Sequence, residues 1–466
     1  MTDNLLLAYY GDDYTGSTDA LEALSRHGVR TALFLEPPGS DDLTGRFADL
    51  QAIGVAGESR SMTPVEMDVH LRETFKAIED LDPTLFQYKV CSTFDSAPDR
   101  GSIGRAIDIG QDVFDSSFVP VVVGVPPMEP QGRYVVFGNL FATVDDETYR
   151  LDRHPTMRTH PATPMTESDL ARHLGEQTDR SITGVTVIDV DHGVEGARRA
   201  VRKAQEDGEI VIFDTLTDDH LATLGRVIWE RTTNGGGMTF GVGSSGFDYA
   251  LGAYWQDVGL AFNRVGDAQV PEVDSLVVIS GSASPVTAEQ IEWALDHGYA
   301  DIKLDTTALI DPDKADDEGA NAIRRATEAI RKHRGTILYT ARGPDDPAIE
   351  ETRAEAKDLG IPPEAVARRI GRQQGRLLRE FLERTDTSRV CIAGGDTSSY
   401  ATPALDVYAV EMIAPIFPGA PLCRASARTG QFDGLEIALK GGQIGDEKYF
   451  ERVRRCVPNS EQRRLK

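Results

Sequence analysis

Leu5-Leu6-Leu7-Ala8-Tyr9-Tyr10-Gly11-Asp12-Asp13-Tyr14-Thr15-Gly16-Ser17-Thr18-Asp19 carries an apolar run into two adjacent carboxylates, and an amphipathic segment, Ala20 to His27, follows at once. That order predicts a parallel strand with Asp12 and Asp13 at its carboxyl end, where open α/β sheets bind ligands. The next helix is expected to begin near Ser17 or Thr18, with a hydroxyl cap and exposed backbone N–H groups beside the carboxylates. An anion site and an acid/base or metal site would then coincide. Taken alone, an Asp-Asp pair is equally at home capping a helix or holding a turn.

Two glycine turns far along the chain add to it. Val390-Cys391-Ile392-Ala393-Gly394-Gly395-Asp396-Thr397-Ser398 breaks from an apolar run into glycine, and so does Leu439-Lys440-Gly441-Gly442-Gln443-Ile444-Gly445. Backbone N–H groups in such turns cradle phosphates, although either one alone also serves as a plain tight turn.

Between these sites, strand-like runs alternate with helical ones. Strands are expected at 31–35, 52–56, 85–90, 119–125, 182–188, 209–213 and 239–243, with helical patterns such as 64–79 and 195–206 between them. The layout is βαβ rather than hairpin-built. A polar break near 264–272, containing Pro271, precedes a strand at 275–279, the turn Ser280 to Thr287 and a helix from about Ala288. Alternation then resumes through 336–340, a long charged helix at 364–383, and 389–393, with polar loops at 312–319 and 343–347. The fold class is α/β: two domains with mainly parallel sheets, 1–260 and 272–466, and an active-site cleft between them.

The 466 residues are too many for one comfortable core. Lys and Arg number 49 against 75 Asp and Glu, a formal charge of −26. A field of that sign opposes nucleic acid and anionic membrane surfaces, so neither is an expected partner. It also opposes an anionic substrate, so any phosphate or carboxylate site needs local positive groups. Cys91, Cys391, Cys423 and Cys456 show no CxxC spacing and no zinc pattern with the histidines, as expected of reduced thiols. His154, His160 and His192 have no partner spacing that supports catalysis. With no secretory or membrane-spanning stretch, a soluble cytoplasmic protein is expected.

Asp12-Asp13-Tyr14-Thr15-Gly16-Ser17-Thr18-Asp19 resembles the DDxTGxxD opening of the four-carbon acid sugar kinase family. The resemblance continues nearly end to end through Gly132-Arg133 with Gly138-Asn139, Pro161 to Asp169, Asp214-Thr215 to Leu221, Gly243-Ser244-Ser245-Gly246, Ser280 to Thr287, Gly394 to Ser398 and Leu439-Lys440-Gly441-Gly442. It implies an N-terminal sugar-acid domain, a C-terminal nucleotide domain, and phosphorylation of a small anionic sugar acid by ATP with Mg²⁺. The metal ligands and the oligomer are left open, a homodimer included.

One segment departs from the pattern. Where the family carries a KKxDSTLRGN-like run, this chain has Lys89-Val90-Cys91-Ser92-Thr93-Phe94-Asp95-Ser96, so Cys91 stands for an aspartate and Asp95 for an arginine. Exchanging a guanidinium for a carboxylate inverts the preference at that point. The variant resembles the branch that phosphorylates 3-oxo-isoapionate rather than threonate or erythronate. A sensing module that binds nucleotide and acid without turnover is the non-enzymatic alternative. The resemblance places Lys89, Ser92, Asp95, Arg100, Arg133 and Arg158 on the substrate, with Arg105 another replacement for the missing arginine. It places Ser282, Gly394, Gly395, Asp396, Thr397, Lys440 and Gly441 on ATP, with Lys440 either on phosphate or on the surface. Asp13 is preferred over Asp12 as base, because neighbours in an extended segment point apart.

Overall fold

A computed structural model describes residues 5–128, 132–144, 147–159, 163–235, 237–261 and 270–458. The chain forms two compact units, Met1–Arg264 and Val265–Lys466. The predicted break at 264–272 lies, up to residue 269, outside the described residues.

Within the first unit the strands run, in sheet order, Thr31–Phe34, Ala52–Ala56, Leu7–Gly11, Leu85–Lys89, Thr239–Gly243, Val119–Val122, Ile210–Phe213 and Ile182–Val185. Every neighbouring pair is parallel. Leu7 to Gly11 is buried throughout, as a strand with helices on both faces must be. Helix Pro64–Glu79 starts where expected because Thr63 and Glu66 form a reciprocal capping box ahead of Pro64.

An antiparallel meander, Arg133–Val136, Asn139–Val144 and Glu147–Arg150, corrects the purely βαβ reading. Its first turn is the two-residue pair Phe137-Gly138, both at positive φ (49° and 73°), the geometry that matches strand twist in a tight hairpin. Asn or Asp normally announces that turn, and the phenylalanine masks it. Asp214 ties the turn down, accepting from the N–H groups of Phe137 (2.6 Å), Gly138 (2.8 Å) and Val187 (2.8 Å). The run 182–188 also divides: the strand ends at Val185, and Thr186 with Asp189 caps a short helix, Val187–Asp191.

Within the second unit the order is Tyr299–Lys303, Gly335–Tyr339, Leu276–Ser280, Arg389–Ala393 and Glu436–Lys440, all parallel, followed by antiparallel Ala420–Ala427 and Val407–Phe417. The polar span 312–319 is a loop only in part. Helix Ala315–Ile330 begins inside it, with Asp316, Asp317 and Glu318 set against its N-terminal dipole.

Candidate functional site

In the first unit the chain leaves strand Leu7–Gly11 for the strands at 31–34 and 52–56, then crosses to Leu85–Lys89 on the opposite side. The winding therefore reverses between Leu7–Gly11 and Leu85–Lys89, and a crevice opens at their carboxyl ends. Asp12 and Asp13 follow the first strand, and Lys89 ends the second.

Helix Tyr14–Arg26 starts earlier than its hydroxyls suggested. Asp13 is its N-cap, accepting from the Gly16 N–H, while Ser17 and Thr18 donate back to the carbonyls of Asp13 and Thr15, each at 2.7 Å. A full negative charge meets the helix dipole better than a hydroxyl does.

Arg60, in the short turn Ser59–Ser61, was not evident from the sequence. Its guanidinium forks onto Asp12, reaching Oδ1 at 2.7 Å and Oδ2 at 3.1 Å, and its remaining nitrogen lies 2.6 Å from Asp13 Oδ2. Only the acidic pair it serves could have pointed to it, because a lone arginine in a turn carries no signal. Lys89, 1% exposed, donates to Asp19 Oδ2 at 3.1 Å. Burial pushes Asp12 up to about 6, against the pull of Arg60. Burial also disfavours charge on Arg60 and Lys89, but Asp12 and Asp13 around the first and Asp19 around the second more than reverse it. Asp13 keeps the more accessible carboxylate, 29% exposed against 4% for Asp12. The centre thus offers an accessible acceptor beside fixed cations.

The divergent segment folds back behind this cluster. Asp95 is buried, accepts from Thr93 Oγ1 at 2.5 Å and Thr163 Oγ1 at 3.5 Å, and faces Arg60 electrostatically. Ser96 Oγ bonds His173 Nε2 at 2.8 Å, and Gln177 Nε2 donates to Ser96 Oγ at 3.0 Å, so the loop is held from behind. Burial, together with the Asp95 charge, pushes the Cys91 thiol up to about 11. Thiols in that state are inert. Cys91 in the native protein is therefore expected to resist iodoacetamide at neutral pH and to react once denatured, which peptide mass spectrometry resolves; rapid native alkylation would show a thiolate there.

The structure gathers Asp12, Asp13, Lys89 and Asp95 around Arg60 and spreads the other expected residues. Arg133 is half-buried and donates to the carbonyls of Gly132 (3.2 Å) and Thr143 (3.4 Å). Ser92 is half-buried in the turn after Lys89. Arg100 is exposed and donates to the Ser61 carbonyl at 2.9 Å, and Arg105 pairs with Asp68. Arg158 is exposed in the turn Met157–Thr159. His160, Pro161 and Ala162 lie outside the described residues. Gly243 to Gly246 open helix Ser245–Asp257, on which fully buried Asp248 accepts from Gln87 Nε2 at 3.3 Å.

The second unit repeats the reversal, here between Leu276–Ser280 and Arg389–Ala393. Gly394 adopts φ +122° and donates its N–H to the Lys440 carbonyl at 2.9 Å. Helix Gly395–Ala404 starts with no side-chain cap, so its first N–H groups suit an anion. A Cβ on Gly281 would strike Thr397 Oγ1 and stand 2.8 Å from Gln374 Oε1. Beside these turns lies a cavity of about 820 Å³, with Gly281, Asp396 and Thr397 at its polar end and Ile349, Ala356, Ile361, Val366 and Ile370 on its apolar wall. A volume in the hundreds of Å³ with apolar walls and a few polar groups suits a nucleoside. Ile349 and Ala356 sit on helix Pro347–Asp358, Val366 and Ile370 on helix Pro363–Glu383, and Ile361 on the link between them. The sequence marked the second of these helices only as a long charged helix at 364–383, and the first went unread.

Lys440 is not on the surface. It is fully buried, and Nζ donates to Thr287 Oγ1 at 2.9 Å. Ser282 Oγ accepts from the Ser284 N–H at 3.2 Å, and Gly441 and Gly442 continue the turn beyond Lys440. Gly395 faces open space. Among the described residues no group of three or more His, Cys, Asp or Glu side chains could hold a metal. No helix among them is long and apolar enough to cross a membrane, and the four cysteines form no disulfide among the described residues.

A family model described as a sugar-binding N-terminal domain matches residues 7–251, and one described as a nucleotide-binding C-terminal domain matches residues 277–450. The chain is 42% identical to a 3-oxo-isoapionate kinase from Paraburkholderia graminis, over 97% of its own length and 94% of the relative's. It is 28% identical to a 3-oxo-tetronate kinase from Pectobacterium atrosepticum, over 96% and 98% of the two chains. In fold it is similar to a solved protein from Salmonella typhimurium LT2, with a TM-score of 0.78 at 24% identity, covering 96% and 98% of the two chains.

Proposed function

The chain belongs to the four-carbon acid sugar kinase family and is an ATP-dependent kinase of a small sugar acid; from that premise we propose that its substrate is 3-oxo-isoapionate, held by the first unit while the second holds ATP. The observation that carries the substrate choice is the 42% identity to the 3-oxo-isoapionate kinase along almost the whole chain, against 28% to the 3-oxo-tetronate kinase. The Cys91 and Asp95 departures bear on that choice: the buried Asp95 carboxylate sets a negative charge where the family has arginine and so disfavours an acid group placed there.

In this reading Lys89 and Arg133 oppose the negative charge of the acid, and Arg60 holds Asp13 in place while Asp12 holds Arg60. Asp13 accepts the acceptor hydroxyl's proton as its oxygen bonds the γ-phosphorus and the bond to ADP breaks. In the second unit the uncapped helix at Gly395 and the turns at Gly281 and Gly441 take the phosphates, and the apolar wall takes the base. Mg²⁺ is commonly held by one or two carboxylates with phosphates and water, and the described residues, which hold no carboxylate cage, are compatible with it. Asp396 would hold it, and it would neutralise phosphate charge.

Steady-state ADP release decides the substrate. kcat/KM is expected to be highest for 3-oxo-isoapionate, and a higher value for threonate, erythronate or 3-oxo-tetronate would defeat the choice while leaving the kinase intact. The same assay reads the acid limb. Asp12 is a carboxylate above about pH 6 and is protonated below it. Protonation loosens its fork to Arg60, so kcat/KM should decline below about pH 6, and a flat profile to pH 5 would contradict that role.

A further inference from the structure

Lys440 ends strand Glu436–Lys440 beneath both nucleotide-side turns, yet its ammonium reaches neither. Its backbone carbonyl receives the Gly394 N–H at 2.9 Å. Its Nζ donates once, to Thr287 Oγ1 at 2.9 Å, and Thr287 in turn donates to the Gly442 carbonyl at 2.8 Å. An ammonium has three donors, and a buried one is normally matched by a carboxylate. Among the described residues none pairs with Lys440. The groups that face it are the Cys391 thiol on the adjacent strand, the Tyr449 ring at 6.0 Å and Thr287. Cys391, pushed up to about 12 by burial, does not titrate near neutrality.

We propose that Lys440 is a proton-coupled positioning residue: the polyphosphate of ATP is its missing counter-charge, and binding of that polyphosphate draws a proton from solvent onto Nζ. The proposal rests on the nucleotide site assigned above. Before ligand arrives, burial pulls Lys440 down to about 8, so a sizeable share is neutral at mildly alkaline pH. A polyanion in the adjoining turns favours the charged form and raises that value. The charged lysine then bonds Thr287 and, through it, steadies the Gly442 turn. Proton uptake, rather than direct contact with phosphate, is what distinguishes this role from an ordinary phosphate-binding lysine.

Calorimetric titration of a non-hydrolysable ATP analogue with Mg²⁺, in buffers of differing ionisation enthalpy, counts the protons. At pH 8 to 8.5 the γ-phosphate itself no longer titrates. Uptake there should be about half a proton or more per nucleotide, and adenosine, lacking phosphates, should give none. Lys440→Met should abolish the uptake and weaken binding about tenfold or more, whereas Thr287→Val should keep the uptake because the ammonium remains. Binding without buffer-dependent heat, or unchanged uptake in Lys440→Met, would overturn the inference and leave the nucleotide site standing. Failure of the analogue to bind the wild-type protein would instead remove the site itself. Should Lys440→Met fail to fold, the contrast between analogue and adenosine on the wild-type protein still decides the matter.

Discussion

Asp13→Asn is expected to lower kcat by about 10²-fold or more while leaving the fold and nucleotide affinity almost unchanged. Asp13 caps a helix, pairs with Arg60 and is assigned the base role, and this substitution separates the first from the last. As an N-cap it accepts from the Gly16 N–H, which an asparagine oxygen does nearly as well. As a base it must take a proton, which an amide cannot. A cap alone would therefore leave kcat near normal in the variant, with melting temperature little changed either way. Asp12 shares the neighbourhood but has both oxygens engaged by Arg60 and is buried. Near-normal kcat in Asp13→Asn would move the base role to Asp12.

Gly394→Val is expected to show the opposite signature, with nucleotide affinity reduced about 10²-fold or more, close to 3 kcal/mol at 1.4 kcal/mol per tenfold. The backbone there has φ +122°, a region closed to β-branched side chains. A Cβ would also stand 3.0 Å from Thr397 Oγ1 and 3.4 Å from the Ser282 nitrogen. Valine must therefore reshape the turn that carries the uncapped helix, whereas sugar-acid binding, assigned to the other unit, should persist. Gly395→Val is the informative companion: its Cβ meets nothing within 4 Å, so any loss there reports crowding of the ligand rather than strain. Calorimetric nucleotide titration with circular dichroism separates the cases, and unaltered affinity in Gly394→Val would remove this turn from the site.

The parts legible beforehand were those whose signal is local. Apolar runs ending in glycine or carboxylate marked the strands at 7–11, 239–243 and 389–393, because a strand buried on both faces must be apolar along its length. What escaped depended on partners distant in sequence. Arg60 matters only because the crossing between parallel strands sets its turn beside Asp12 and Asp13. Asp95 has the right charge to contact a hydroxyl, but the loop buries it against Thr93. The apolar cavity wall carried mainly by helices Pro347–Asp358 and Pro363–Glu383 was masked by the charge around it, and the buried setting of Lys440 follows from packing by strands and helices separated in the chain. Strands Val407–Phe417 and Ala420–Ala427 went unread because half-exposed positions interrupt the first and antiparallel pairing relaxes the demand for a continuous apolar run.

The proposed reaction is transfer of a phosphoryl group from ATP to a hydroxyl of 3-oxo-isoapionate. Mass spectrometry of a reaction of the wild-type protein with that acid, ATP and Mg²⁺ tests it most directly. The predicted result is an acid heavier by one phosphoryl group, formed one for one with ADP and nearly absent with Asp13→Asn. ADP formation without a phosphorylated acid, or no reaction with 3-oxo-isoapionate beside ready phosphorylation of threonate, would contradict it.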